Sequence, residues 1–304
     1  MIALNGNIIS NNYYGIYGSL DTISENKITD NHFGIQGGGT AIHNNISKNY
    51  YGLYDVDSII ENDITNNHIG IQNGGNILNN NISNNEFGIN FTGTGKIIHS
   101  NNITFNRVGM LLSNSKHMNI SGNIITANNE KGLFLTSSDD NLVSGNEINE
   151  NKAGIELKDS DNNILSENSI NQNHNGIIVG WFIKNTTIKG NIIKLNKNQG
   201  LCLEYADDNI ITRNNIVLNK KYGIYLNCSS NNNISENIFF ANGGNAYFIE
   251  SKNIWNQNYW NRPRLLPKPI FGKFEIGFRA IPMINFDWHP ARKPYNVTGV
   301  MTSE

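Results

Sequence analysis

The feature that most constrains the fold is a repeat of Asn-x-Ile-x-x-Asn, followed two or three residues later by Gly and an aliphatic residue. The first Asn of the motif falls at 7, 26, 44, 62, 80, 101, 123, 146, 168, 191, 214 and 237. The period is 18–19 residues over the first five copies and 21–23 residues afterwards. Such a period indicates a solenoid, because each repeat can bury its apolar face only against its neighbours.

Each copy carries three short apolar clusters that are bounded by Asn, Gly, Ser or Asp. In the fourth copy the first two clusters centre on Ile59 and Ile64, and the third follows Gly70. Clusters this short, with such boundaries, are typical of strands rather than helices. Three strands in about 20 residues make one coil, so we predict an all-β parallel β-helix of about twelve coils over residues 1–254.

The Asn columns have a structural explanation. Equivalent residues of stacked coils lie about 4.8 Å apart, so an Asn at the same corner of every coil can bond to the Asn above and below and to backbone groups at the bend. We therefore predict Asn ladders, represented by Asn62, Asn67, Asn146 and Asn151. The Gly column is expected at a second corner, where the backbone is left-handed or tightly packed.

Composition restricts the class of partner. The chain has 304 residues, a net charge of −2 and 16% charged residues, whereas nucleic-acid-binding domains usually carry a basic excess. No apolar run approaches the roughly 18 residues of a membrane span. The first fifteen residues lack the basic start and apolar core of a signal peptide. The two cysteines, Cys202 and Cys228, imply no disulfide framework.

The repeat resembles the right-handed parallel β-helices of the pectin-lyase-like superfamily, specifically the NosD-like, carbohydrate-binding-and-sugar-hydrolase group. The resemblance rests on copies such as NKITDNHFGI and NEINENKAGI, on NIWNQNYWN at 253–261 and on KPYNV at 293–297. It implies a right-handed, single-stranded β-helix and an extracellular or cell-surface location. It does not select one function, because this fold carries lyases, hydrolases, epimerases and non-catalytic binders.

Two columns near the start of the chain alternate between aromatic and polar residues. Coils 1 and 3 are near copies, as are coils 2 and 4, so Tyr17 and Tyr54 should lie about 10 Å apart on a flat face. Aromatic faces stack on sugar rings, which suggests a polysaccharide-binding strip. Its candidate residues are Tyr13, Tyr17, Gln36, Tyr50, Tyr54, His68 and Gln72. Ordinary packing of aromatic side chains across coils is the alternative.

Candidates for chemistry are few. Asp139, Asp161 and Asp207 share one column with Lys184, which predicts a charged corner that could bind Ca²⁺ weakly. No other cofactor and no catalytic residue is predicted, and Asp287-Trp288-His289-Pro290 is the segment nearest to a catalytic motif. Copper handling, which the resemblance suggests, finds little support because His32 and His68 share a column but lie two coils apart.

The remaining features concern apolar surface. The column two residues past each Gly becomes mostly apolar from Leu111 onward, through Phe134, Ile178 and Phe248, so a protein partner or a cover is expected there. We predict that residues 255–304, which are aromatic, Pro-rich and basic, cap the last coil over Phe239, Phe240, Tyr247 and Phe248 or pack along this column. Trp181-Phe182 is a second candidate contact.

We therefore expect a non-catalytic module that binds polysaccharide, such as a cell-surface glycan, or a protein partner through its flat faces. A polysaccharide-active enzyme is the first alternative, and two or three carboxylates with a Lys or Arg in one groove would favour it. A NosD-like accessory protein for copper-centre assembly is the second, and convergent His, Cys or Met residues would favour it.

Overall fold

The computed structural model describes residues 2–277 and 279–296. Phe278, Val297 of KPYNV and the last residues of the predicted C-terminal segment lie outside the described residues. The described residues form strands and contain no helix, and therefore no helix of the length and apolarity that a membrane crossing requires. The chain divides into two compact units, with the boundary between Leu142 and Val143.

The described part of the first unit contains seven coils of three strands each. The first strands are Ala3–Asn5, Thr22–Ser24, Thr40–Ile42, Ser58–Ile60, Asn76–Leu78, Ile97–His99 and Asn119–Ser121. The second strands are Ile8–Ser10, Lys27–Thr29, Asn45–Ser47, Asp63–Thr65, Asn81–Ser83, Asn102–Thr104 and Ile124–Thr126. The third strands are Tyr14–Tyr17, Phe33–Gln36, Tyr51–Tyr54, Ile69–Gln72, Phe87–Phe91, Val108–Ser113 and Lys131–Thr136.

The described part of the second unit contains five complete coils, a partial sixth and a hairpin. The first strands are Leu142–Ser144, whose first residue belongs to the first unit, and Ile164–Ser166, Thr187–Lys189, Ile210–Thr212, Asn233–Ser235 and Ile254–Asn256. The second strands are Glu147–Asn149, Ser169–Asn171, Ile192–Lys194, Asn215–Val217, Ile238–Phe240 and Tyr259–Trp260. The third strands are Ala153–Lys158, Asn175–Gly180, Leu201–Glu204, Tyr222–Asn227 and Gly244–Ile249, and the hairpin strands are Lys268–Ile276 and Arg279–Asp287.

Within each unit, every strand of a coil pairs in parallel with the equivalent strand of the next coil. Ile64, for example, lies in register with Ile46 on one side and Ile82 on the other, and all three are fully buried. Burying an Ile side chain contributes about 1.5–3 kcal/mol, so these columns form a narrow aliphatic core. The prediction of an all-β parallel β-helix of about twelve coils is confirmed.

The predicted Asn ladders are confirmed in both units. The backbone N–H of Asn62 donates to Oδ1 of Asn80 at 2.9 Å, and its side-chain amide donates to the carbonyl oxygens of Ala41 and Ile60, both at 2.9 Å. In the second unit Asn146 donates to Asn168 at 3.0 Å. Each Asn thus joins its own coil to its neighbours. The ladder built by the first Asn of each repeat, called the first ladder below, has one rung more than the repeat predicted. This rung is Asn258, whose Oδ1 accepts from the backbone N–H of Asn237.

The corners at these ladders are made by the residue before each Asn. Glu61 and Asn66, which precede the two ladder Asn residues of the fourth coil, have φ values of 52° and 58°. The same left-handed conformation occurs at Phe105 and Leu195, although it costs an ordinary residue about 1–2 kcal/mol. The ladder hydrogen bonds offset this cost, so the corner tolerates residue types that rarely turn on their own.

The Gly column provides close packing between coils, and not the left-handed corner that was one of the two roles expected for it. Gly52 lies inside a third strand and is absent from the left-handed residues, so the prediction of a left-handed corner there is wrong. Close packing is the reason for the glycine, because a Cβ at Gly52 would lie 2.5 Å from the carbonyl oxygen of Gly70. Asn245 occupies this position in the last complete coil, opposite Gly223.

The longer coils have further ladders at their third corner, which lies between the third strand of one coil and the first strand of the next. Ser229 donates its backbone N–H to Oγ of Ser251 at 3.0 Å, and Asn209 donates to Oδ1 of Asn232 at 2.9 Å. In the first unit Ser115 donates to Ser138 in the same way. The three to five residues that lengthen the later coils therefore build a corner with its own buried polar columns.

The C-terminal hairpin packs on the end of the last coil. Its two strands join the sheets of third and first strands, since Gly272 pairs with Phe248 and Asp287 pairs with Trp255. Asp287 is fully buried, and its Oδ2 accepts from the backbone N–H of Asn258 at 2.9 Å and from Nε1 of Trp260 at 3.0 Å. A carboxylate thus takes the place of the next Asn.

Candidate functional site

A groove runs along the third corner of the short coils in the first unit, where the third strands end. Its volume is about 640 Å³. The lining residues are Tyr17, Gly18, Ser19, Gln36, Gly37, Gly38, Asp55, Asp57, Gly74, Gly75 and Lys96. The groove exists because the short coils lack the residues that fill this corner in the longer ones, and Lys96 belongs to the first of those longer coils.

The floor of the groove is glycine because the backbone requires it. Gly38 has φ of 99°, a conformation that side chains rarely adopt, and a Cβ at Gly75 would lie 1.7 Å from the carbonyl oxygen of Asp57. The floor therefore exposes backbone rather than side chains. Several of its peptide groups already bond to other groups of the coils, as the Gly37 N–H does to the Tyr54 carbonyl at 2.9 Å, so the glycines serve to keep the floor open to a ligand.

Three charged groups face this floor. Asp55 and Asp57 are exposed and Lys96 is half-buried. Within the described residues, none of the three side chains makes a hydrogen bond or an ion pair. Two carboxylates and one ammonium group are thus available to a ligand without first breaking contacts inside the protein.

Tyr17 and Gln36, two of the seven predicted strip residues, line the groove. The Tyr17 side chain is 69% exposed, with Tyr14 packed against it at a ring separation of 5.0 Å. Oε1 of Gln36 is buried and has no hydrogen-bond partner among the described residues. The groove therefore has an accessible ring and an amide oxygen whose hydrogen-bonding capacity is unused.

The other five strip residues do not line the groove. Tyr13, His32, Tyr50 and His68 form a stack at the opposite end of the third strands, with ring separations of 4.8, 5.1 and 4.5 Å. Rings stacked in this way present their edges outward, because their faces contact each other.

Tyr54 lies in the groove column, in register between Gln36 and Gln72. Its ring packs edge-on against Tyr51. The Oε1 of Gln72 accepts a hydrogen bond from Asn90 at 3.0 Å. Tyr54 and Gln72 are therefore used in packing and do not line the groove.

The residues predicted for Ca²⁺ serve the corners. Asp161 accepts from the backbone N–H of Lys184 at 2.8 Å, Asp207 accepts from that of Ser230, and Asp139 pairs with Lys116 at 2.9 Å. Over residues 2–277 and 279–296, no three His, Cys, Asp or Glu side chains converge as a metal site would need. The Ca²⁺ site stays a prediction without a converging set of oxygens.

The donors that copper prefers are also dispersed. The ring of Tyr50 stacks between His32 and His68, and His43 is paired with Glu61 at 2.7 Å. Cys202 and Cys228 are free thiols. Burial, and then the charge of nearby Glu204 or a hydrogen bond with Glu250, raises the pKa of each thiol, which disfavours the thiolate that binds metals. These residues do not fit a copper ion.

The predicted apolar column needs one correction. Leu111, Phe134 and Ile178 are half-buried on the outward side, but Phe248 pairs with the core residue Leu226 and is itself buried. Tyr247 occupies the outward position instead, because the Gly column shifts by one residue in that coil. Gly272 of the hairpin packs directly on the Phe248 ring.

Two segments singled out in the sequence have distinct positions. Trp181 and Phe182 are exposed at a corner and have φ values of 68° and 64°, with Tyr205 beside Phe182.

The acid of the segment Asp287-Trp288-His289-Pro290 has a structural role. Asp287 is the buried cap of the first ladder and is not exposed to a substrate.

Sequence reasoning missed the groove. The signal was present as runs of glycine in the coils of shorter period. These are GGG at 37–39, of which Gly37 and Gly38 line the groove, and GG at 74–75. A shorter coil next to a longer one leaves a step. Glycines at the step keep it open.

Comparison with solved structures finds the same fold in proteins of low sequence identity. The Dettilon tailspike protein has a TM-score of 0.58 and 16% identity, covering 81% of this chain and 61% of the tailspike. A double mutant of the periplasmic alginate epimerase AlgG has a TM-score of 0.59 and 13% identity, covering 78% of this chain and 72% of the epimerase. The chain thus spans less than two thirds of the tailspike's length. At these identities the likeness shows the fold alone.

No curated protein matches the sequence. The model of one protein family does, and its description is periplasmic copper-binding protein (NosD). It matches residues 55–182 and 138–272, which together cover more than half of the chain. The resemblance read from the repeat is therefore confirmed, and the chain belongs to the NosD family of parallel β-helix proteins.

Proposed function

We propose that the protein is a polysaccharide-binding module that works outside the cytoplasm, and that its ligand lies in the glycine-floored groove of the first unit. The observation that carries this proposal is the coexistence of an accessible Tyr17 ring, an open backbone floor and three charged groups without protein partners in one groove. Ligand sites usually combine a preformed concave surface with a few polar groups that fix orientation.

Each lining residue has a role that its chemistry allows. The Tyr17 ring stacks on one sugar ring, and the carboxylates of Asp55 and Asp57 accept hydrogen bonds from sugar hydroxyls. Lys96 donates to a hydroxyl or to the carboxylate of an acidic sugar. Tyr13, Tyr50, Tyr54, His68 and Gln72 pack against neighbouring coils and do not contact the ligand.

The comparisons agree with this proposal without testing it. One structural relative is an alginate epimerase, and both that relative and the NosD family are described as periplasmic. A location outside the cytoplasm, either extracellular or at the cell surface, is therefore part of the proposal.

A glycan array followed by titration calorimetry tests the groove. We expect Tyr17→Ala to weaken binding at least tenfold, because a stacked ring contributes about 1.5 kcal/mol or more. Tyr13→Ala is the matched control, since Tyr13 is 62% exposed but belongs to the ring stack. Equal loss in both variants, or no loss in Tyr17→Ala, would contradict binding in the groove.

An enzyme acting on polysaccharide is the second candidate. Two carboxylates and a lysine in one groove are the residue types that general acid–base chemistry on a sugar chain uses. The test is incubation of each bound glycan with the protein, followed by assays for reducing ends, unsaturated ends and changed sugar configuration. Product that disappears in Asp57→Asn while binding persists would favour the enzyme, whereas no product would favour the non-catalytic module.

The two remaining alternatives have less support. A role in copper-centre assembly requires converging His, Cys or Met donors, whereas His32 and His68 stack on Tyr50 and His43 pairs with Glu61. A protein partner on Leu111, Phe134 and Ile178 requires exposed apolar surface, and these side chains are half-buried against their neighbours.

A further inference from the structure

The C-terminal hairpin exposes apolar side chains on both of its faces. Phe274 and Ile281 lie opposite each other on one face, and each is 44% exposed. Phe271 and Ile284 lie opposite each other on the other face and are 56% and 49% exposed. Met283, Phe286 and Trp288 add to these surfaces. So much exposed apolar area in about twenty residues is unusual for a surface in contact with water alone.

The base of the hairpin is held firmly, so its exposed part has a defined position. Ile270 and Asp287 are buried, and the backbone N–H of Glu250 in the last complete coil donates to the carbonyl of Lys273 at 2.9 Å. The strands pair with each other over nine residue pairs. The apolar side chains beyond this base therefore project from a rigid support.

The hairpin and the residues that lead into it are basic. Residues 261–289 hold five Arg or Lys and two Asp or Glu, a net charge of +3. Arg262 and Arg279 are exposed, and neither has a hydrogen-bonded or ion-paired acid among the described residues. Arg279 pairs with Ile276 next to the turn, on the face that carries Ile281. Glu275, by contrast, is paired with Lys273.

We propose that this hairpin binds the surface of an anionic lipid bilayer. Exposed aliphatic and aromatic residues beside unpaired arginines are what interfacial membrane binding uses, with the apolar part entering about 5–10 Å and the cations meeting the lipid headgroups. A flat protein surface would cover one face of the hairpin, whereas the headgroup region surrounds both. A second copy of the chain fits less well, because two basic hairpins repel each other.

Vesicle flotation with the whole protein tests this proposal. The probes are vesicles of phosphatidylcholine alone and of phosphatidylcholine with about a third phosphatidylglycerol, each at low and high salt. We expect binding to the anionic vesicles only, and weaker binding at high salt. Removing the charges in Arg262→Gln/Arg279→Gln should lower the affinity about fivefold per arginine.

The apolar part is tested by Phe274→Ser/Ile281→Ser, which should lower vesicle affinity at least tenfold. The matched control is Phe105→Ser/Ile97→Ser, which removes an exposed Phe and an exposed Ile from the coils and should bind as the unmodified protein does. Circular dichroism confirms that each variant is folded, and the hairpin lies outside the groove, so glycan binding should persist in all of them.

Three results would overturn the proposal. These are no flotation with anionic vesicles, undiminished flotation of both hairpin variants, and equal binding to neutral and anionic vesicles. Concentration-dependent dimerisation that the Phe274→Ser/Ile281→Ser variant abolishes, without vesicle binding, would assign the surface to a second copy instead.

Discussion

Removing one rung of the Asn ladder should destabilise the first unit far more than removing an exposed Asn. The side chain of Asn67 accepts from the backbone N–H of Asn49 at 2.9 Å and from its side-chain amide at 3.0 Å. It donates to the carbonyls of Ile46 at 3.0 Å and Thr65 at 3.1 Å, and to Oδ1 of Asn85 at 3.1 Å. Asn67→Ala removes all five contacts.

The magnitude follows from the groups left behind. In the Ala variant the backbone N–H of Asn49 and the carbonyl of Ile46 lose these partners in a buried column. Each buried polar group left without a partner costs about 1–3 kcal/mol, so the free energy of unfolding should fall by about 2–6 kcal/mol. The loss should concentrate at the coils on either side, because stability in a solenoid is a sum of neighbour contacts.

Asn45→Ala is the matched control, since Asn45 is an exposed strand residue of the preceding coil. Its cost should stay within about 0.5 kcal/mol. Urea unfolding followed by circular dichroism measures both variants, and hydrogen exchange at the Asn49 amide shows whether the loss is local. If Asn67→Ala costs no more than Asn45→Ala, the ladder contributes nothing and the reasoning is refuted.

Further perturbations test the cap, the thiol and the close approach of coils. Asp287→Ala removes the acceptor of three buried donors, which are the backbone N–H and side-chain amide of Asn258 and Nε1 of Trp260, and should cost about 3–5 kcal/mol in urea unfolding. Asp287→Asn keeps an acceptor and should cost less, and equal costs for the two variants would contradict this account. Burial raises the pKa of Cys202 above its ordinary value of 9.0. The folded state therefore keeps this thiol protonated at a pH where the thiol of the unfolded state ionises. The stabilisation of the folded state by the neutral thiol is fully present below about pH 9 and is lost as the pH rises further. Between pH 7 and pH 10.5 the unfolding midpoint should therefore decrease more in the unmodified protein than in Cys202→Ala. An equal decrease in the two proteins would contradict a role for this thiol. Gly52→Ala places a Cβ 2.5 Å from a carbonyl oxygen and should cost about 1–3 kcal/mol, while Gly180→Ala, with 3.7 Å of space, should be nearly neutral; a thermal shift assay compares the two.

The repeat predicts the coils well because its physics is local and repeated. An Ile at 64 and an Asn at 62 and 67 recur at a fixed period, so register, core and ladders follow from stacking alone. The left-handed corners do not follow from the sequence, because Glu61, Phe105 and Leu195 have little in common as turn formers. Their conformation is imposed by the Asn that comes next, through hydrogen bonds to other coils.

The candidate site was harder to predict because it depends on what is absent. Tyr17 is visible as an outward aromatic residue, but its access to a groove depends on the missing third-corner residues of the short coils. Likewise, His68 looked available in the sequence, yet its ring face is taken by Tyr50 in the stack. Lys96 could be placed only once the step between short and long coils was known.

The Asn ladder has a direction, and this has a consequence for its ends. Along the first ladder the backbone N–H groups donate toward the next coil, as Asn214 does to Asn237 and Asn237 to Asn258, each at 3.0 Å, whereas the side-chain amides donate back to carbonyls of the preceding coil. The C-terminal end of this ladder therefore presents a backbone N–H that needs an acceptor, which the carboxylate of Asp287 provides. A β-helix shortened at any coil of this ladder would need an acceptor at the new C-terminal end, and an acidic side chain supplies one without bringing a donor that needs a partner of its own.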